Sequence, residues 1–278
     1  MINYNPKDWF GLIFKFHKSD TFRKLFWVII SLACYSLILA YLEIEVYKLD
    51  FSSTPALHSI LGFVLSILLV FRTNTAYDRW WEGRRLWGSL VNNSRSFSLK
   101  LKSLVQTEPS QTYKELQEWI ALYPSVLTQH LRSKKVHDKR IPESVHQPNF
   151  VHGKIHQLVQ TLKKEQHLSD THLLFLDTEL RAYSDICGAC ERIKNTPIPY
   201  SYSLFLKKFI FIYIITMPYG FIKEFGYGII LATTFVFYVL ASLELIAEEI
   251  ENPFGEDAND LDLEQISKTI ENNIKEIA

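Results

Sequence analysis

Residues 25–42 read LFWVIISLACYSLILAYL and carry no charged side chain. A helix needs about 20 mostly apolar residues to cross the hydrocarbon of a bilayer, and this run meets that length with its flanks. Three further runs share its character. Residues 51–71, FSSTPALHSILGFVLSILLVF, are uncharged apart from the titratable His58. Residues 202–222 are interrupted only by Lys207 and Lys208 near their start, and residues 225–243 carry no charge. In lipid every backbone polar group must find its partner within the structure, so long uninterrupted apolar runs suit helices rather than barrel strands. The sequence therefore predicts an all-α membrane protein with four transmembrane helices. The competing reading, buried hairpins of a soluble core, asks four such runs to coexist in one soluble chain of 278 residues.

The averages conceal this. Hydrophobic residues make up 47% of the chain, yet the mean hydropathy is zero, because the apolar residues come in blocks. The formal net charge is also zero, which argues against nucleic acid as a partner. Cys34, Cys187 and Cys190 make no disulfide framework and fit a reducing cytoplasmic face. The first residues mix Lys7, Asp8, Lys15 and Lys18 with aromatics, without the apolar core and small-residue site of a cleaved signal peptide.

The four runs pair into two hairpins, with short links at 43–50 and near Lys223 and Glu224. Basic residues collect on the opposite side: Lys15, Lys18, Arg23 and Lys24, then Arg72, Arg79, Arg84 and Arg85, then Lys207 and Lys208. The positive-inside rule places both termini and the long middle segment in the cytoplasm of a multi-pass cell-membrane protein, an inner-membrane one in a bacterium. The resulting organisation is 1–73 (N-terminal segment and first hairpin), 74–200 (cytoplasmic helical region), 201–247 (second hairpin) and 248–278 (acidic C-terminal tail). In the middle region Leu116, Ile120, Tyr123, Leu127 and Leu131 recur at helical spacing, with Pro124 as a point where the helix kinks or breaks. Residues 132–149 are basic, hold Pro142 and Pro148, and read as a loop; 155–162 and 173–193 read as helix. Pro197 and Pro199 end the helical region before the third run.

Three segments carry a family resemblance: RTNTAYDRWWEGR at 72–84, CERIKNTPIP at 190–199 and IENPFGEDAND at 250–260. In this order around four apolar runs, the chain resembles the bestrophin family, including its bacterial members. The resemblance covers nearly the whole chain except 132–149 and the tail beyond Leu263. It implies a homopentamer around a central pore, with the second run lining a narrow neck. It further implies that Phe63, Ile67 and Phe71 form apolar rings there, that a second constriction lies near Thr171, and that 252–260 corresponds to a calcium clasp with Asp257 and Asp260 as carboxylate ligands beside Asn252. Here Ala258 and Asn259 interrupt the acidic run of calcium-activated relatives.

The residues themselves say less. Phe63, Ile67 and Phe71 stand at i, i+4 and i+8 and share one helix face. Apolar rings close a pore to ions by dewetting, but the same spacing serves packing against neighbouring helices. Small Gly62 and Ser66 beside that face suit close helix approach. Asp78 is expected to pair with a basic neighbour and Arg79 with Glu82, in a structural junction rather than an acid–base site, since no nucleophile or metal set accompanies them. Cys187 and Cys190 have redox-like spacing in a helical context and read as structural; His152 and His156, at i and i+4, lack a third ligand.

The chain is thus expected to be an ion channel for small inorganic ions and not an enzyme, working in the lipid bilayer with calcium as its one candidate cofactor. An aliphatic middle ring at Ile67 leans the reading toward monovalent cations, because aromatic edges are electropositive and favour anions. The alternatives are an anion channel of the same fold, a transporter, which would need polar or broken mid-membrane helices, and a non-conducting scaffold.

Overall fold

The computed structural model describes residues 20–47, 55–105 and 110–277, and every regular element among them is helical. Lys7, Asp8, Lys15 and Lys18, the end of the 43–50 link and the first four positions of the second apolar run lie outside the described residues. The helices are α1 (Asp20–Tyr41), continued by a π-helical turn (Leu42–Tyr47), α2 (Pro55–Leu104), α3 (Gln111–Leu131), α4 (Gln147–Lys164), α5 (Asp170–Asn195), α6 (Tyr200–Phe225), α7 (Ile229–Glu251) and α8 (Leu263–Ile277). They form two compact units: the first takes the described residues up to Asp78 with Pro197–Glu251, the second Arg79–Thr196 with Asn252–Ala278. Helix α2 contributes its first half to one and its second half to the other.

Among the described residues, three helical stretches are long and apolar enough to cross a membrane: Thr21–Tyr47, Pro55–Leu104 and Tyr200–Glu251. The last is two packed helices, because the chain turns through a short 3₁₀ segment, Gly226–Gly228, entered at Gly226 with φ +53. That left-handed conformation costs glycine little and other residues much, so the turn sits here and not at Lys223 and Glu224, which remain in α6. Leu32, Leu65, Leu69, Leu206, Ile210 and Ile214 interlock α1, α2 and α6. Tyrosine hydroxyls satisfy themselves on main-chain carbonyls, Tyr35 on Ile215 at 2.9 Å and Tyr202 on Leu68 at 3.0 Å. Gly62 does permit close approach, since a Cβ there would lie 2.7 Å from Tyr213 Oη. Ser66 instead returns its hydroxyl to the Gly62 carbonyl of its own helix. Large side chains such as Trp27 and Leu231 stay exposed, a surface that suits lipid and not water.

The second unit is built on the stripe read from the sequence. Leu116, Ile120, Tyr123, Leu127 and Leu131 are all buried, and α3 packs with α4, α5 and α8. Pro124 leaves α3 unbroken, and the Thr128 hydroxyl bonds the Pro124 carbonyl one turn back. Pro148 opens α4 instead of ending a loop, so the helix begins at Gln147; a proline costs nothing in a first turn, whose N–H groups lack intrahelical partners. Ser110 caps α3, and Ser169 with His172 forms a capping box on α5. The C-terminal tail is no free appendage: Leu263, Ile270 and Ile274 of α8 enter the core, and Ser267 meets Thr128 at 3.1 Å.

Because Ile270 is 1% exposed, Ile270→Ala is expected to destabilise the protein by about 2–5 kcal/mol, read as a lowered melting temperature in detergent. A change indistinguishable from wild type would mean that the tail is not docked.

Candidate functional site

Helix α2 carries two stripes in its first half. Leu65, Leu69, Arg72 and Ala76 are buried against the chain's own helices, while Phe63, Ile67 and Phe71 are 67%, 40% and 62% exposed. At about 3.6 residues per turn the mean directions of the two stripes differ by roughly 170°. The apolar stripe singled out in the sequence is therefore not used for packing within one chain. Thr171, assigned to a second constriction, is exposed in the first turn of α5.

Directly after Phe71, on the packed face of α2, lies a buried ionic cluster. Arg72 is 1% exposed; its Nη2 meets Glu251 Oε2 at 2.7 Å, and its Nε lies 3.5 Å from Glu244 Oε2. The other carboxylate oxygen of Glu251 accepts the Ile198 N–H at 2.7 Å. Around it, Lys24 meets Glu249 and Lys207 meets Glu248, each at 3.0 Å. Sequence reading left Glu244 and Glu251 without a role. The signal was available: ionisable residues at the ends of apolar helices are rare without a partner.

In the second unit the resemblance segments meet again. Arg79 donates to the carbonyls of Ile193 and Thr196, both at 2.5 Å, and Trp80 Nε1 donates to Asn259 O at 3.0 Å. Glu82, expected to pair with Arg79, is instead held by Arg192 at 2.8 Å, since Arg79 is turned to the carbonyls ending α5. Asp78 is exposed. A Cβ at Gly83 would lie 3.1 Å from both the Pro253 and Phe254 rings, so only glycine lets that turn seat here without displacement. Asp260 is buried, and its Oδ2 accepts the Asp257 N–H at 2.7 Å, closing the 252–260 loop on itself. Asn252 and Asp257 are exposed beside it. The loop gathers oxygen donors of the type calcium takes.

The remaining sequence candidates are structural. Cys187 and Cys190 are buried, and burial pushes the Cys187 thiol up to about 12 and Cys190 well above the usual thiol range, the opposite of a reactive pair. His152 is lowered, first by burial and then by His156 alongside it, and its Nδ1 meets the Ser184 hydroxyl at 3.0 Å. Among the described residues no third ligand joins His152 and His156.

The described residues define a helical membrane protein with an apolar stripe outside its packed face, a buried arginine–carboxylate cluster at the foot of that stripe and a folded helical second unit. The chain belongs to the bestrophin family: the family described as "Bacterial/Fungal Bestrophin protein" matches residues 1–276. It is 31% identical over 288 residues to a voltage-dependent anion channel-forming protein of Nostoc sp., covering 98% of this chain and 92% of that protein. It is also 31% identical over 229 residues to the voltage-dependent anion channel-forming protein YneE of Escherichia coli, covering 78% and 75%. A crystal structure of a bacterial bestrophin homologue from Klebsiella pneumoniae superposes with a TM-score of 0.83 at 26% identity, over 91% of this chain and 98% of that one.

Removing one partner of a buried ion pair leaves an uncompensated charge, at a cost of about 3–5 kcal/mol. Arg72→Met is expected to lower the melting temperature markedly and Glu251→Gln less, because the amide still accepts the Ile198 N–H. Equal, negligible effects of both would show that the cluster does not hold the unit together.

Proposed function

We propose that this chain is a multi-pass channel with four membrane-crossing helices (α1, the first half of α2, α6 and α7) and cytoplasmic termini, that it assembles as a homopentamer, and that it conducts small anions. The observation that carries the proposal is the stripe of α2. Three large apolar side chains on one face, opposite the face that packs, are left by the single chain to lipid or to further copies. Five copies around an axis would turn that stripe into stacked rings of Phe63, Ile67 and Phe71, and apolar rings gate by dewetting.

The lean toward cations finds no support. The curated relatives are named anion channel-forming proteins, and two of the three ring positions are phenylalanines whose electropositive edges suit an anion. Ile67 sits between them and adds no charge of either sign, so an aliphatic middle ring does not outweigh its neighbours. Thr171 is proposed to face the cytoplasmic exit of the same pathway.

Purified protein in a planar bilayer tests this reading. Under a chloride gradient the reversal potential is expected near the chloride equilibrium potential; a value near the cation potential would return the assignment to cations, and no current would favour a scaffold. Phe63→Ala, Ile67→Ala and Phe71→Ala combined are expected to raise conductance and open probability with assembly intact. If the three side chains pack between helices instead, each truncation leaves a cavity costing about 2–5 kcal/mol, and assembly falls with no gain in current. Thr171→Ala, recorded alongside, is expected to alter rectification.

Calcium is proposed as a ligand of the 252–260 loop through Asn252, Asp257 and Asp260. Added calcium is then expected to raise the melting temperature by mass action, with the effect lost in Asp257→Ala plus Asp260→Ala. Superimposable wild-type melting curves with calcium and with chelator would remove calcium from the account.

A further inference from the structure

Three side chains from separate elements of the second unit converge on one point. His130 stands in the last turn of α3, His146 is the N-cap of α4, and Glu191 lies near the end of α5. The Nε2 atoms of both imidazoles lie 2.6 Å from the same oxygen, Glu191 Oε1, and the two rings are 4.4 Å apart. One ligand atom from each residue falls within 4.8 Å of the other two, the only such group among the described residues.

A carboxylate has two oxygens and about four lone-pair sites, yet both imidazoles crowd the same oxygen. The crowding is what a shared cation would relieve. In four-coordinate zinc sites the metal–nitrogen bonds are about 2.0–2.1 Å, which spaces tetrahedral ligand atoms by roughly 3.3 Å. The rings need retract by less than about 1 Å to admit such an ion. The side chains are 28%, 35% and 28% exposed, so the site is walled yet open on one side for entry and for a water as fourth ligand. Lys194 does not occupy it: its ammonium is taken by the His130 carbonyl at 2.9 Å and the Ser133 hydroxyl at 2.8 Å, which fixes the end of α3.

We propose that His130, His146 and Glu191 bind a divalent transition metal, zinc by the match to its two-histidine, one-glutamate ligand sets, in a site that clips α3, α4 and α5 together. Coordination through Nε2 places each ring proton on Nδ1. For His146 the bond now accepted from the Asn149 N–H at 3.2 Å is then given up, so binding exchanges a weak helix cap for a metal bond.

The test uses tag-free, full-length protein in detergent, stripped with chelator, with zinc alone and cobalt alone as probes. One equivalent of cobalt per chain is expected to give the visible absorption of a four-coordinate site, displaced by zinc, and zinc is expected to raise the melting temperature. Glu191→Gln and His146→Asn, the latter keeping a side chain able to cap α4, are each expected to weaken zinc at least tenfold and to melt like wild type in chelator. His137→Ala, an exposed histidine outside the cluster, is expected to bind as wild type does. The proposal is overturned by absence of the cobalt band in wild type, or by wild-type zinc affinity in both cluster variants. The wild-type titration stands without either variant, so misfolding of one does not shelter the idea.

Discussion

A guanidinium almost wholly withdrawn from solvent fixes the first unit. Arg72 cannot be buried alone, and its neutralising partners come from the far end of the chain: Glu251 lies 179 residues away in sequence. That pairing ties α2 to α7, and through the Ile198 N–H it also ties the entry to α6. It sets the rotation of α2 about its own axis as well. With Arg72, Leu65 and Leu69 facing inward, Phe63, Ile67 and Phe71 have no choice but to face out. The same cluster that neutralises a charge therefore decides which side chains are left outside the packed face.

The second unit is held differently, by a packed apolar core. Its tightest fits are local and steric. Gly83 gives way to the Pro253 and Phe254 rings, and Asp260 closes its loop through the Asp257 N–H. Arg79 satisfies carbonyls at the end of α5 that the helix leaves without intrahelical partners. The segments at 72–84, 190–199 and 250–260 serve each unit by separate contacts, charge pairing in one and close packing with carbonyl capping in the other. This explains why a family resemblance concentrates there. These are positions where a substitution leaves a buried charge, an open carbonyl or a steric clash, whereas most apolar positions tolerate another residue of similar volume.

The amino-acid order alone determined what depends on near neighbours. Apolar runs long enough for a bilayer, the i, i+4, i+8 stripe of α2, the buried stripe from Leu116 to Leu131 and the proline break before α6 are all periodic or local signals, and the structure keeps them. Local signals misled where a residue's meaning depends on its place within an element. Pro148 reads as a loop residue until a helix begins beside it, and the 226–228 turn is set by a backbone conformation rather than by the nearby charges. The partners of Arg72, the pairing of Glu82 with Arg192, the docking of α8 and the meeting of His130, His146 and Glu191 were decided only by tertiary structure. Each joins residues whose sequence separation carries no period, and the free energy that selects them comes from burial and charge neutralisation once the helices have packed.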